Sequence, residues 1–223
     1  MSERIVVVGA SGGIGRALAD AAEARGAAVF RFSRPMIDMA DEATFAAAAE
    51  SAGDGLSHVI VAAGLLHDGT HQPERDWRQL SAEWMLESFR VNTVIPALAA
   101  KHFLPRLRKD ARSVFAALTA RVGSIGDNRL GGWHSYRVSK AATNQLVRTL
   151  AVELKRKTPL AVAVALHPGT VDTGMSKPFQ RNVPPEKLFT PAVSAAHLWR
   201  VMDGLLPEDS GGFRAWDGQT IPW

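Results

Sequence analysis

The residue types best suited to chemistry lie in the stretch Gly132-Trp-His-Ser-Tyr-Arg-Val-Ser-Lys-Ala141. If this stretch opens a helix, Tyr136 and Lys140 stand four apart on one face, one turn above the other. A phenol with a pKa near ~10 keeps its proton at neutral pH, so an unaided tyrosine is a general acid and a poor base. An ammonium fixed one turn away stabilises the phenolate and draws that pKa toward the working pH, where acid–base catalysis is most effective. A Tyr-x-x-x-Lys spacing also occurs on ordinary exposed helices, so the pair takes its meaning from what surrounds it.

The first such element is at the start of the chain. Arg4 to Val8 is a short β-branched run, Gly9-Ala-Ser-Gly-Gly-Ile-Gly15 follows it, and an alanine-rich helical pattern runs from Arg16 to Arg25. Strand, glycine turn and helix in that order form a phosphate-binding device. The turn allows close backbone approach, and the helix N-terminus offers unpaired N–H groups to a pyrophosphate. The contributing positions are Gly9, Ser11, Gly13, Ile14 and Gly15, with the spacing Gly-x-x-x-Gly-x-Gly rather than Gly-x-Gly-x-x-Gly.

Ala27 to Phe32 reads as a second strand, and Ser33-Arg34 closes it where such folds recognise the adenosine ribose. An acidic residue there binds the 2′-hydroxyl of NAD, whereas an arginine accepts the 2′-phosphate of NADP. Arg34 with no acid at this turn predicts NADP(H) in preference to NAD(H). Only three residues separate Arg34 from Asp38, too few for the crossover that a parallel strand needs. Asp38 is therefore assigned to the adenine rather than to a third strand.

Asp41 to Ala52 is helical, and Ser57 to Ala62 is a buried strand ending at Ala63-Gly64, small residues that let a flat cofactor lie against the backbone. His67 and His71 superficially resemble a metal pair, but Gly69 and Pro73 argue against the helix that would align them, and no metal site is expected. Ser81 to Arg108 is a long helical pattern interrupted by Pro96. Proline cannot donate to the carbonyl four residues earlier, which frees the Asn92 carbonyl to hold a water. Ser113 to Leu118 is a strand ending in Thr119-Ala120, and the Tyr136 helix runs to about Lys157. Leu160 to Leu166 is a continuous apolar strand, which suits a parallel sheet covered on both faces. It ends in His167-Pro-Gly-Thr-Val-Asp-Thr173. Met175 to Leu188 reads as a lid, Pro191 to Leu206 as a helix, Phe213 to Trp216 as a last strand, and Asp217 to Trp223 as an apolar-tipped tail.

Composition narrows the remaining classes. The chain has 223 residues, 46% hydrophobic and 22% charged, with no break that marks a linker, so a single domain over 1–223 is expected. A net charge of +4 is modest, and the basic runs Arg106 to Arg112 and Lys155 to Lys157 fall at expected helix ends, so no nucleic-acid surface is expected. The absence of cysteine removes disulfides, thiolate catalysis and cysteine metal sites. With no apolar span and no leader pattern before the first strand, the expectation is a cytoplasmic protein without a membrane partner.

Strands and helices alternate throughout, which argues an α/β fold with a doubly wound parallel sheet. On Gly9 to Gly15, Asn92, Tyr136 with Lys140, and Pro168-Gly-Thr-Val-Asp-Thr173, the chain resembles the short-chain dehydrogenase/reductase family over essentially its full length. Through Ala120-Arg-Val-Gly-Ser-Ile125, Gly131-Gly-Trp133, Ser176-Lys-Pro-Phe179 and Trp216-Asp-Gly-Gln-Thr-Ile-Pro-Trp223 it is most similar to the C-factor-like members. The resemblance implies a Rossmann-type αβα sandwich and an NADP(H)-dependent carbonyl reductase or alcohol dehydrogenase. In that reading Tyr136 exchanges the proton with a substrate oxygen. Lys140 lowers its pKa and holds the nicotinamide ribose, Asn92 holds a relay water, and Pro168, Gly169, Val171 and Thr173 line the nicotinamide. Two departures stand out. Val61-Ala-Ala-Gly64 replaces the family's Asn-Asn-Ala-Gly, and Thr119, with Ser124 as the alternative, stands for the serine that orients the substrate oxygen. These departures motivate a second reading, a dinucleotide-binding regulatory or signalling protein on the same fold. A homo-oligomer acting on a small-molecule carbonyl or alcohol is the expected assembly. The prospective substrate pocket includes Leu65, Trp133, His134, Met175 and Phe179.

Overall fold

Short β-branched runs followed by alanine-rich stretches set the architecture of the computed structural model, which describes residues 2–223. The order begins β1 (Arg4–Val8), α1 (Gly13–Ala24), β2 (Ala28–Phe32), α2 (Ala43–Ala52), β3 (His58–Val61) and α3 (Ala82–Phe89). A π-helical turn (Arg90–Val94) joins α3 to α4 (Ile95–Phe103), and β4 (Ser113–Leu118) and α5 (His134–Lys157) follow. The chain closes with β5 (Ala161–His167), β6 (Thr170–Val171), β7 (Leu188–Phe189), α6 (Pro191–Gly204) and β8 (Gly212–Ala215).

Six strands form one sheet in the order β2-β1-β3-β4-β5-β8, and every pairing in it is parallel. The sheet ends on β2, because Pro35 to Ile37 is too short to make a crossover. Asp38 forms only an isolated bridge with Asp41.

The period-two alternation of side chains along a strand divides the core into two layers. Phe115 and Ala117 face Phe45 of α2, Phe103 of α4 and Val147 of α5, while Val114, Ala116 and Leu118 face Leu18 of α1 and Leu198 of α6. The result is an αβα sandwich of Rossmann type. β1 lies between β2 and β3, so the winding reverses there and a crevice opens at the strands' carboxyl ends, the place where such sheets bind ligands. Gly9, Ala63-Gly64, Thr119 and Pro168 follow those ends.

One expectation is corrected. The helical pattern from Ser81 to Arg108 stops at Phe103 and is interrupted by the π turn at Arg90–Val94, where Asn92 sits, and Pro96 follows directly in the first turn of α4 without an N–H for the Asn92 carbonyl. The tail folds back on β8: the Ile221 N–H donates to the Phe213 carbonyl at 2.9 Å, and Ile221 is buried in its own core.

Candidate active site

At the first end of the crevice the site is made of backbone. The Gly9 and Ala10 N–H groups donate to the Phe32 carbonyl at 2.7 and 3.2 Å, tying the turn to the end of β2. Gly9 has φ +87, and a Cβ on it would lie 2.8 Å from the Ala63 nitrogen. A Cβ on Gly15 would overlap the Gly9 carbonyl oxygen, and one on Gly13 would lie 2.8 Å from Thr173 Cγ2. Side chains are thus excluded where the chain from β1 meets the segments after β3 and β5.

The N-cap of α1, Gly12, makes no side-chain cap and the first turn carries no acid. A cavity of about 460 Å³ lies beside this turn, lined by Ser11, Gly13, Arg16, Asp20, Thr190 and Pro191. First-turn N–H groups, the helix dipole and Arg16 suit a diphosphate. At the end of β2, Arg31 is held by Asp20 and Glu23, whereas Arg34 is exposed and has no ion pair among the described residues. Asp38, exposed, accepts from the Ala40 N–H at 2.9 Å, in a turn beside Arg34.

At the other end the site is made of side chains. α5 begins at His134, so Tyr136 is in its first turn and Lys140 one turn below. Tyr136 is 9% exposed, and the Lys140 ammonium lies 5.7 Å from its ring centre. Lys140 Nζ donates to the Leu118 carbonyl at 3.0 Å, and Gly123 packs so closely that a Cβ there would lie 2.8 Å from Lys140 Cβ. Burial pushes the Tyr136 phenol well above its ordinary value and lowers Lys140 to about 8. Desolvation dominates at the phenol, while the Lys140 ammonium donates one of its N–H groups to Leu118. At neutral pH the phenol is loaded with its proton.

Asn92 is fully buried in the π turn. Its amide donates to the Leu65 carbonyl at 2.8 Å and to Ser139 Oγ at 3.0 Å, and it accepts from the Leu65 N–H at 2.8 Å. It therefore clamps the segment after β3 to α5. Its main-chain carbonyl accepts from the Thr143 hydroxyl at 2.7 Å, so the donor that Pro96 withholds comes from α5. The carbonyl's second lone pair remains for a water.

Thr119 is placed differently from its expected role. Strand alternation continues past β4, so its buried hydroxyl points to α5 and donates weakly to the Lys140 carbonyl at 3.4 Å. Ser124 donates to the Pro222 carbonyl and accepts from the Asp127 N–H. Both hydroxyls are committed to the backbone rather than offered to a substrate oxygen.

The segment after β5 bounds the crevice. Pro168 O accepts from Ser194 Oγ at 2.9 Å, Gly169 takes φ +79, and β6 with Val171 pairs with β7. The segment between β6 and β7 packs beside the site through Met175 and Phe179. A Cβ on Gly64 would find Met175 Cε at 3.4 Å and both Asn92 Oδ1 and Lys140 Nζ at 3.6 Å. Phe179 is 5.0 Å from the Trp133 ring, which is 6.3 Å from Tyr136. His67 bonds the Met175 carbonyl at 3.0 Å, while His71 pairs with Asp68 and stacks on Trp84, so the two histidines have separate partners.

Sequence reasoning passed over Thr143, Ser139 and Glu74. The first two share the face of α5 with Tyr136 and Lys140, and helical spacing was the signal. Glu74 carries no local signal: its importance lies in a contact 61 residues away.

A family model described as enoyl-(acyl carrier protein) reductase matches residues 35–203. The chain is 37% identical over 139 residues to the C-signal protein of Myxococcus xanthus, covering 62% of this chain and 78% of that one. It is 35% identical over 145 residues to 1-hydroxy-2-glutathionyl-2-methyl-3-butene dehydrogenase of a Rhodococcus species, covering 65% and 61% of the two chains. An NADPH-bound carbonyl reductase structure from chicken fatty liver superposes with a TM-score of 0.85 at 26% identity, over 100% of both chains.

Proposed function

Since the chain belongs to the short-chain dehydrogenase/reductase family and is an oxidoreductase of its NAD(P)-dependent type, we propose that it reduces a small-molecule carbonyl with NADPH, Tyr136 supplying the proton. The observation that carries this reading is the buried Tyr136 one helical turn from Lys140, whose Nζ lies 5.7 Å from the phenol ring centre. A cation buried to this degree costs stability, and the Leu118 carbonyl alone does not require a lysine.

When bound, the dinucleotide supplies the hydride. The first turn of α1 and Arg16 hold the diphosphate, and Arg34 takes the 2′-phosphate. Asp38 sits toward the adenine. Ala63, Gly64, Pro168, Gly169, Val171 and Thr173 bound the crevice, and Lys140 steadies the ribose end. Tyr136 gives its proton to the carbonyl oxygen, and Lys140, with a pKa of about 8, is close enough to working pH to help reload it. Asn92 keeps the Leu65 segment and α5 in register, and Thr119 acts on the Lys140 backbone. Trp133, Met175 and Phe179 favour an apolar or aromatic substrate.

Oxidation of NADPH against a panel of ketones, aldehydes and quinones tests the activity, and no turnover on any of them overturns it. Arg34→Ala tests the cofactor: NADPH affinity should fall about tenfold with NADH unchanged, as loss of one charged contact to phosphate would give. Residues 1–223 act as one domain in this reading. Exposed Leu86, Val94, Val138 and Val152 on α3, the π turn and α5 favour self-association, which light scattering checks.

A second reading is favoured by the similarity to a protein named C-signal. A signalling protein on this fold would bind NADPH tightly and turn over nothing in the panel.

A further inference from the structure

α5 starts with an unusual economy. Its N-cap residue, Trp133, has no side-chain oxygen and makes no cap, and its backbone is left-handed with φ 53. A non-glycine residue held there is strained and persists only where its surroundings over-determine it. Gly131 and Gly132, at φ +62 and +66, lead into it. The geometry turns the indole toward Tyr136 and Phe179. The cap position is thus occupied by a residue of the substrate slot, and the exposed N–H groups of the first turn need another acceptor.

Glu74 supplies it. This residue belongs to the long loop between β3 and α3, yet it is only 3% exposed. Its carboxylate accepts from the Ser135 N–H through both oxygens at 3.3 Å and from the Ser135 hydroxyl. Its main-chain carbonyl accepts from the Trp133 N–H at 2.5 Å. Arg137 donates to the Gly131, Gly132 and Val122 carbonyls at 3.1, 2.9 and 3.2 Å. Glu74 therefore caps, from outside the helix, the turn that contains Tyr136, and its carbonyl holds the Trp133 backbone.

We propose that Glu74 is a positioning residue of the reduction, capping α5 in place of Trp133 so that Tyr136 and the indole keep one mutual geometry. The proposal rests on Tyr136 being the proton donor. Lys140 lies a full turn deeper, held by Leu118 and Gly123, and the diphosphate cradle is at α1, so neither depends on this cap.

The experiment compares Glu74→Ala, Glu74→Gln and Ser135→Ala in the full chain. In Glu74→Ala kcat should fall about 10- to 100-fold, while KM and Kd for NADPH stay within about twofold. Glu74→Gln keeps an acceptor oxygen and should recover most of the loss. Ser135→Ala should add nothing to Glu74→Ala in the double variant, because the two groups form one contact. Independently of activity, hydrogen exchange should quicken at residues 134–138 of Glu74→Ala and stay unchanged at 143–157. Full kcat in folded Glu74→Ala overturns the proposal, as does unchanged exchange in the first turn or a loss of kcat matched by an equal loss of NADPH-binding sites. Tyr136→Phe is measured alongside: if it turns over, the proton-donor reading fails, while exchange still judges the cap.

Discussion

Around the N-terminus of α1 the site is built from main chain, and around Tyr136 from side chains held by other side chains. The first region works by exclusion: Gly9, Gly13 and Gly15 pack where a single methyl would strike neighbouring atoms. The second works by tethering. Lys140 is tied to Leu118, Asn92 to Leu65 and Ser139, and the first turn of α5 to Glu74. A backbone cradle binds through groups every residue has and is damaged by adding atoms, whereas a tethered cluster is damaged by removing them.

The sharpest test of this contrast is a pair of substitutions. Tyr136→Phe removes one oxygen and should cut turnover by about 10³-fold or more, with NADPH affinity within a few fold. Gly15→Ala adds one carbon against the Gly9 carbonyl and should weaken NADPH by about 100-fold, since the turn must shift from the diphosphate. Stopped-flow turnover and cofactor titration separate the two outcomes. If Gly15→Ala binds NADPH normally, the cradle is not as tight as its packing implies.

The contrast also explains what could be read before folding. The glycine turn, the alternation of strands and helices, the missing third strand after Arg34 and the Tyr136–Lys140 register are local patterns, governed by period and by chain length between elements. The partners in the side-chain region are separated by long stretches of sequence: Glu74 with Ser135, His67 with Met175, Asn92 with Leu65 and Thr143. Helical spacing puts Thr143 on the Tyr136 face of α5, but nothing local marks which residues pair, because tertiary packing decides it. Thr119 shows the same limit at one residue's resolution. Its position at the end of β4 could be read, but the direction of its hydroxyl follows from strand alternation relative to α5.

Tethering a buried cation should also cost stability, which the backbone cradle does not. Burial lowers Lys140 to about 8 in the folded chain, against 10.5 for an exposed lysine. Between those values the unfolded chain binds more protons than the folded one, so stability rises with pH across that window, by on the order of 3 kcal/mol from this group. Below about pH 8 the penalty is present in full. Lys140→Met removes the term, so denaturant unfolding of the variant should show a flatter pH dependence from 8 to 10 and greater stability at neutral pH. Equal slopes in both proteins would mean that Lys140 is solvated rather than buried.

The smallest effect is expected where the two regions' rules meet, at the π turn. Pro96 withholds an N–H from the Asn92 carbonyl, yet that oxygen already accepts the Thr143 hydroxyl at 2.7 Å, and Thr143 also reaches the Ser139 carbonyl at 3.0 Å. The turn is therefore held by its tether to α5, with proline only removing a competitor. Pro96→Ala restores an N–H, but a carbonyl has a second lone pair and the Thr143 contact can persist. Turnover should change by about twofold or less. Thr143→Val deletes the donor and leaves the buried Asn92 carbonyl unpaired, which should cost roughly 1–2 kcal/mol of stability. Thermal unfolding of the two variants ranks them. A larger loss in Pro96→Ala than in Thr143→Val would show that the proline, and not the cross-helix hydroxyl, keeps Asn92 in place.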